Sequence, residues 1–66
     1  MILKEIIDDY QIKLYELNRS LMAPDMFGAI LFKGNAKLLT NPVHLYRRVF
    51  RIFEYENVGY TVVIVE

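Results

Sequence analysis

The chain contains no cysteine, which excludes disulfides, thiolate metal ligands and a thiol nucleophile together. Serine and histidine occur once each. Ser20 falls inside a predicted helix with no base at hand, and His44 without a second strong ligand does not make a zinc site of the common kinds. Glycine is sparse: Gly28, Gly34 and Gly59 stand apart from one another, so no glycine-rich loop is available to cradle a phosphate. Adjacent Asp8 and Asp9 diverge by about 100° on a helix and do not converge on a metal. The chain is therefore expected to be non-catalytic, with no metal and no cofactor.

Long apolar runs are missing too. None approaches the roughly 18 residues of a membrane span, and the start Met1-Ile2-Leu3-Lys4-Glu5 lacks the basic segment and small-residue cleavage site of an export signal. A cytoplasmic protein without membrane contact is expected. Asn18-Arg19-Ser20 matches a glycosylation acceptor but is discounted in a predicted helix of a chain with no export signal.

Against these absences stands a surplus. Sixty-six residues make a single domain, 1–66, that buries only about 60% of the surface its unfolded form exposes. A core so thin sustains roughly 3–5 kcal/mol without a covalent staple. Yet 55% of the residues are hydrophobic and nine are aromatic, and self-association as a homodimer is the expected outlet for the excess. Formal net charge is zero, from eight basic and eight acidic residues, but the two signs are segregated. Between Met26 and Phe53 there is no acid, while Lys33, Lys37, Arg47, Arg48 and Arg51 supply five positive charges.

Leu3, Ile7, Tyr10, Leu14, Leu17 and Leu21 recur at spacings of four and three, the seam of an amphipathic helix from about Leu3 to Met22. Ile12 points away from that seam and Tyr15 lies beside it. Pro24-Asp25 reads as a turn, Gly28 to Lys33 as a strand, Gly34-Asn35 as a two-residue hairpin turn and Ala36 to Thr40 as the returning strand. Asn41-Pro42 is an N-cap followed by proline at the first helical position. It opens a second helix to about Tyr55, with Leu45, Tyr46, Val49, Phe50, Ile52 and Phe53 on one side and His44, Arg47, Arg48, Arg51 and Glu54 on the other. Gly59 ends it, and Tyr60 to Val65 is a strand apolar on both faces. The expected fold is α+β: helix, hairpin, helix, strand, with both helices on one face of a three-stranded sheet. The competing reading makes residues 45–55 a strand, paired with the last through a hairpin closed between Tyr55 and Tyr60. That gives one helix on a four-stranded antiparallel meander and divides the arginines between faces.

On the helical reading, Arg47, Arg48 and Arg51 form one compact solvent-side patch, extended by His44 and Lys37. Arg47→Ala and Arg51→Ala are then expected to leave the fold intact. Ile12, Tyr15, Val63 and Val65 are the expected self-association residues. The expected function is a small intracellular interaction module that binds or inhibits another protein through an apolar surface rimmed by basic residues, in the manner of compact phage or mobile-element regulators. The alternative is a nucleic-acid-binding regulator using the basic helix face, which the neutral total charge places second.

Overall fold

The computed structural model describes residues 1–20, 27–55 and 59–66. Four strands, β1 (Gln11–Leu17), β2 (Phe27–Asn35), β3 (Val49–Tyr55) and β4 (Tyr60–Val65), form one sheet in the order β2-β1-β4-β3. The outer pairs are antiparallel and the central pair, β1 with β4, is parallel. A single-turn helix, α1 (Pro42–Leu45), and 3-10 turns at Leu3–Ile6 and Ala36–Leu38 complete the described elements. Among them no helix is long and apolar enough to cross a membrane.

The expected helix, hairpin, helix, strand order is therefore overturned. The N-terminal seam belongs to two elements: Leu3 lies on a 3-10 turn and Leu14 on β1, and both are fully buried. Ile12, out of phase for a helix, is in phase for a strand, and it is buried with Leu14 while Gln11 and Glu16 are exposed. The expected Gly34-Asn35 hairpin is also absent. β2 continues through both residues, Asn35 Oδ1 accepts from Lys37 N at 2.9 Å, and Ala36–Leu38 turns as a 3-10 helix. Lys33 consequently faces Lys13 rather than Ala36. The Asn41-Pro42 signal is real, since Asn41 Oδ1 accepts from Val43 N at 3.0 Å, but the helix it opens stops at Leu45. Residues 49–55 are strand because β4 pairs along its whole length with β3, from Val49 opposite Val65 to Tyr55 opposite Tyr60. The Pro24-Asp25 turn and residues 56–58 of the hairpin lie outside the described residues.

One face of the sheet is covered by the chain's own connections. Ile12, Leu14, Val63 and Val65 project there and pack with Leu3, Ala36 and Leu39, all at most 4% exposed. The N-terminal turn is tied to the start of β3 by Leu3 N to Arg47 O and Val49 N to Met1 O, both 2.9 Å, and Ala36 N donates to Tyr10 O at 2.8 Å. These bonds close the cover over β1 and β4 while satisfying backbone groups that burial would otherwise strand.

A helical seam makes Leu14 and Leu17 equivalent, whereas the sheet separates them. Leu14→Ala is expected to cost about 2–5 kcal/mol, enough to unfold most of so thin a domain. Leu17→Ala, at the half-exposed end of β1, is expected to cost roughly half of that or less. Urea midpoints of the two variants, with a β-type far-UV spectrum for the parent, check both; equal losses and a helical spectrum would refute the sheet.

Tyr10 packs against this core and its hydroxyl donates to Ile6 O at 2.8 Å. Burial first, then the charges of Asp8 and Glu54, push its phenol above the ordinary 10.0. The folded chain thus holds this proton more tightly than the unfolded one. Its share of stability is intact below about pH 10 and is lost as pH climbs through the folded value. Tyr10→Phe is expected to flatten the alkaline fall in stability above about pH 10, read from denaturation midpoints measured across that point.

Candidate binding face

The other face of the sheet carries Lys13 and Tyr15 from β1, Phe27, Ile30 and Lys33 from β2, Arg51 and Phe53 from β3, and Tyr60, Val62 and Ile64 from β4, as the strand registers require. Register shifts between Leu14 and Tyr15 and between Tyr15 and Leu17 in the β1–β2 pair, and between Val49 and Arg51 in the β3–β4 pair, set these faces. Each shift places an extra residue in one strand and reverses the parity beyond it. Arg51 and Phe53 thereby join the open face, while Val49 and Ile52 stay on the covered one.

No described segment crosses this face, yet Val62 is only 6% and Ile64 only 1% exposed. Aromatic side chains from the sheet itself do the covering. The Tyr15 and Phe27 rings meet edge to face at 5.1 Å, and Phe27 and Phe53, from opposite outer strands, approach to 5.9 Å above the central pair. Such contacts add about 0.5–1.5 kcal/mol each beyond the area they bury.

Cations lie over the rings. Lys13 Nζ sits 4.2 Å from the Tyr60 centroid. The Arg51 guanidinium is 5.6 Å from Phe50 and 5.9 Å from Phe53, and that of Arg19 is 6.0 Å from Phe50. The ring quadrupole holds each cation near its face. The result is an aromatic layer with a positive outer surface. Between Lys13, Tyr15, Phe27, Tyr60 and Val62 lies an open concavity of about 260 Å³.

The expected arginine patch is not assembled. Arg51 is on the open face, Arg47 and Arg48 are at the end of the sheet before β3, His44 is on α1 and Lys37 on the second 3-10 turn. The strand conformation of 49–55 separates groups that a helix would have stacked. Arg47 is committed inside the chain: Nε donates to Glu66 O at 2.7 Å and Nη2 pairs with Glu16 at 3.4 Å, with its side chain only 23% exposed. Arg48 lies 75% exposed, 3.9 Å from the Glu66 carboxylate, which also binds Arg19 at 2.5 Å. His44 is half-buried, with Nδ1 enclosed and lacking a hydrogen-bond partner. Of the expected self-association residues, Ile12, Val63 and Val65 are core members at 0–1% exposure, and only Tyr15 reaches the open face.

Sequence reasoning passed over Lys13, Lys33, Phe27, Phe53 and Tyr60 as a group. The alternation Gln11-Ile12-Lys13-Leu14 was the available signal, since a strand with Ile12 and Leu14 on one side places Lys13 and Tyr15 together on the other. Among the described residues no cluster of three or more His, Asp or Glu side chains is arranged to hold a metal ion. No protein-family model matches the chain, and no curated protein or solved structure shows significant similarity to it.

Arg47→Ala is expected to destabilise the fold by about 1–3 kcal/mol, because it removes charge-assisted bonds to a backbone carbonyl and a carboxylate. Arg48→Ala, on an exposed and loosely paired side chain, is expected to change stability by under about 0.5 kcal/mol. Thermal midpoints of the two variants check the contrast.

Proposed function

We propose that the protein is a non-catalytic binding module whose working surface is the open sheet face, and that it engages an acidic, apolar segment of another protein. The observation that carries this reading is the sign of the face: each described charged side chain that projects from its strands, Lys13, Lys33 and Arg51, is a cation. Beneath them lies an apolar and aromatic floor, with Ile30 left 51% exposed. The cations here are not the expected rim: of Arg47, Arg48, Arg51, His44 and Lys37 only Arg51 projects from this face, beside Lys13 and Lys33.

A single-stranded nucleic acid fits the face less well. Bases stack on ring faces left open to solvent, whereas here Lys13 occupies a face of Tyr60, Arg51 lies over Phe50 and Phe53, and Tyr15 meets Phe27 edge-on. The neutral total charge also lacks the excess that phosphate binding uses. A second copy docked on the same face would oppose cation to cation, which disfavours a homodimer formed there. Two premises of the dimer have also changed. The two-sided N-terminal helix is absent, and β4, central in the sheet, has both its faces covered within the chain.

Selection from a displayed random peptide library is expected to enrich segments combining Asp or Glu with aromatic or aliphatic residues, and Arg51→Glu is expected to weaken the selected peptides at least about tenfold. Enrichment of basic peptides, or a dimer in sedimentation that buries this face, would overturn the reading.

A further inference from the structure

Lys13 and Lys33 are direct cross-strand partners in the antiparallel β1–β2 pair, and both project from the open face. Like charges directly opposite one another destabilise a sheet. Neither lysine has a carboxylate partner among the described residues, whose ion pairs are Arg19 with Glu66, Arg47 with Glu16 and Arg48 with Glu66. Lys13 is not free to swing away, since its ammonium is drawn onto Tyr60 at 4.2 Å. Among the described residues no carboxylate compensates these two ammonium groups, which extend from directly opposed positions on the sheet.

Two concavities flank that place. One, of about 160 Å³, is bordered by Lys13, Lys33, Gly34, Gly59 and Tyr60; the other is the aromatic hollow floored by Val62. They share Lys13 and Tyr60, so a group bound between the lysines lies next to an apolar recess. We infer that Lys13 and Lys33 form a carboxylate subsite, and that the partner presents an acidic side chain two residues from a large apolar one. Alternate residues of an extended segment project to the same side about 6–7 Å apart, which matches two recesses meeting at a common wall. The carboxylate accepts hydrogen bonds from both ammonium groups and removes their mutual repulsion, while the apolar side chain enters the hollow between Tyr15, Phe27 and Tyr60.

This subsite rests on the proposed acidic-peptide function and specifies its ligand. The test uses nuclear magnetic resonance titration of the whole chain with four probes: a capped peptide containing Asp-Gly-Phe, the same peptide with Asn for Asp, one with Asp and Phe adjacent, and a twelve-nucleotide oligothymidylate. The Asp-Gly-Phe peptide is expected to shift the amide resonances of Lys13, Lys33 and Tyr60 and to bind about tenfold more tightly than either peptide control. Lys33→Glu is expected to abolish that preference and also to raise the thermal midpoint, because it converts a like-charge pair into an opposite-charge pair. A residue with a merely structural role would not gain stability on losing its charge.

Peptide shifts on the open face that are insensitive to Lys13→Gln and Lys33→Glu would overturn the subsite and leave the wider reading standing. Failure of all three peptides, together with failure of library selection, would remove both. Shifts of the same lysines by the oligonucleotide alone would replace the acidic peptide with a nucleic acid.

Discussion

A strand that is apolar on both faces must be covered twice, and among the described residues the connecting segments cover one face. β4 is that strand: Val62, Val63, Ile64 and Val65 are all buried, each worth about 1.5–3 kcal/mol if removed fully from water. Together these four exceed the roughly 3–5 kcal/mol net stability of a domain this size. No described ion pair compares, since exposed pairs contribute about 0–1 kcal/mol each. β4 accordingly takes the centre of the sheet, with β1 on one side and β3 on the other. The 3-10 turns and α1 close one face, and rings reaching inward from the outer strands close the second.

The second cover determines the character of the open surface. Aromatic side chains hide Ile64, but their outer faces need contact in turn. Lys13 and Arg51 supply it, with the ammonium over Tyr60 and the guanidinium over Phe50 and Phe53. The repulsion between Lys13 and Lys33 is of the same order as the ring contact that holds Lys13, a fraction of a kcal/mol to about 1. A lysine pair therefore persists at little net cost. A sheet face built for stability alone would place an acid at one of the two positions, as Glu16 and Glu66 do for Arg47, Arg48 and Arg19 at the sheet's end.

What the sequence revealed was local, and what it concealed was register. The strand at Tyr60–Val65 and the Asn41 cap with Pro42 were legible from short-range chemistry, whereas the hairpin turn expected at Gly34-Asn35 is not formed, because β2 runs on to Asn35. The N-terminal element was misread because a seam with spacings of three and four drew Leu3, Ile7 and Tyr10 into one pattern with Leu14 and Leu17, although a turn and a strand divide them. Ile12 carried the correcting signal, being wrongly placed for a helix and correctly placed for a strand. Residues 49–55 were misread for a different reason. A helical projection sorts them cleanly into apolar and charged sides, whereas each face of the real strand carries both kinds, Arg51 with Phe53 and Ile52 with Glu54, and a register shift lies between Val49 and Arg51. The same shift placed Arg51 apart from Arg47 and Arg48, and the site could not be read until it was known.

The weaker of the two covers and the proposed binding surface are the same set of side chains, and this links occupancy to folding. A ligand that binds only the folded chain stabilises it by about 2.7 kcal/mol at a hundred times its dissociation constant, comparable with the whole net stability of a core this thin. A partner segment with an apolar side chain in the hollow would add to the contacts over Val62 and Tyr60. Its carboxylate would relieve the lysine pair in the same step. On the proposed function, then, the charges and rings that cover this face of β4 are the features through which a partner is held.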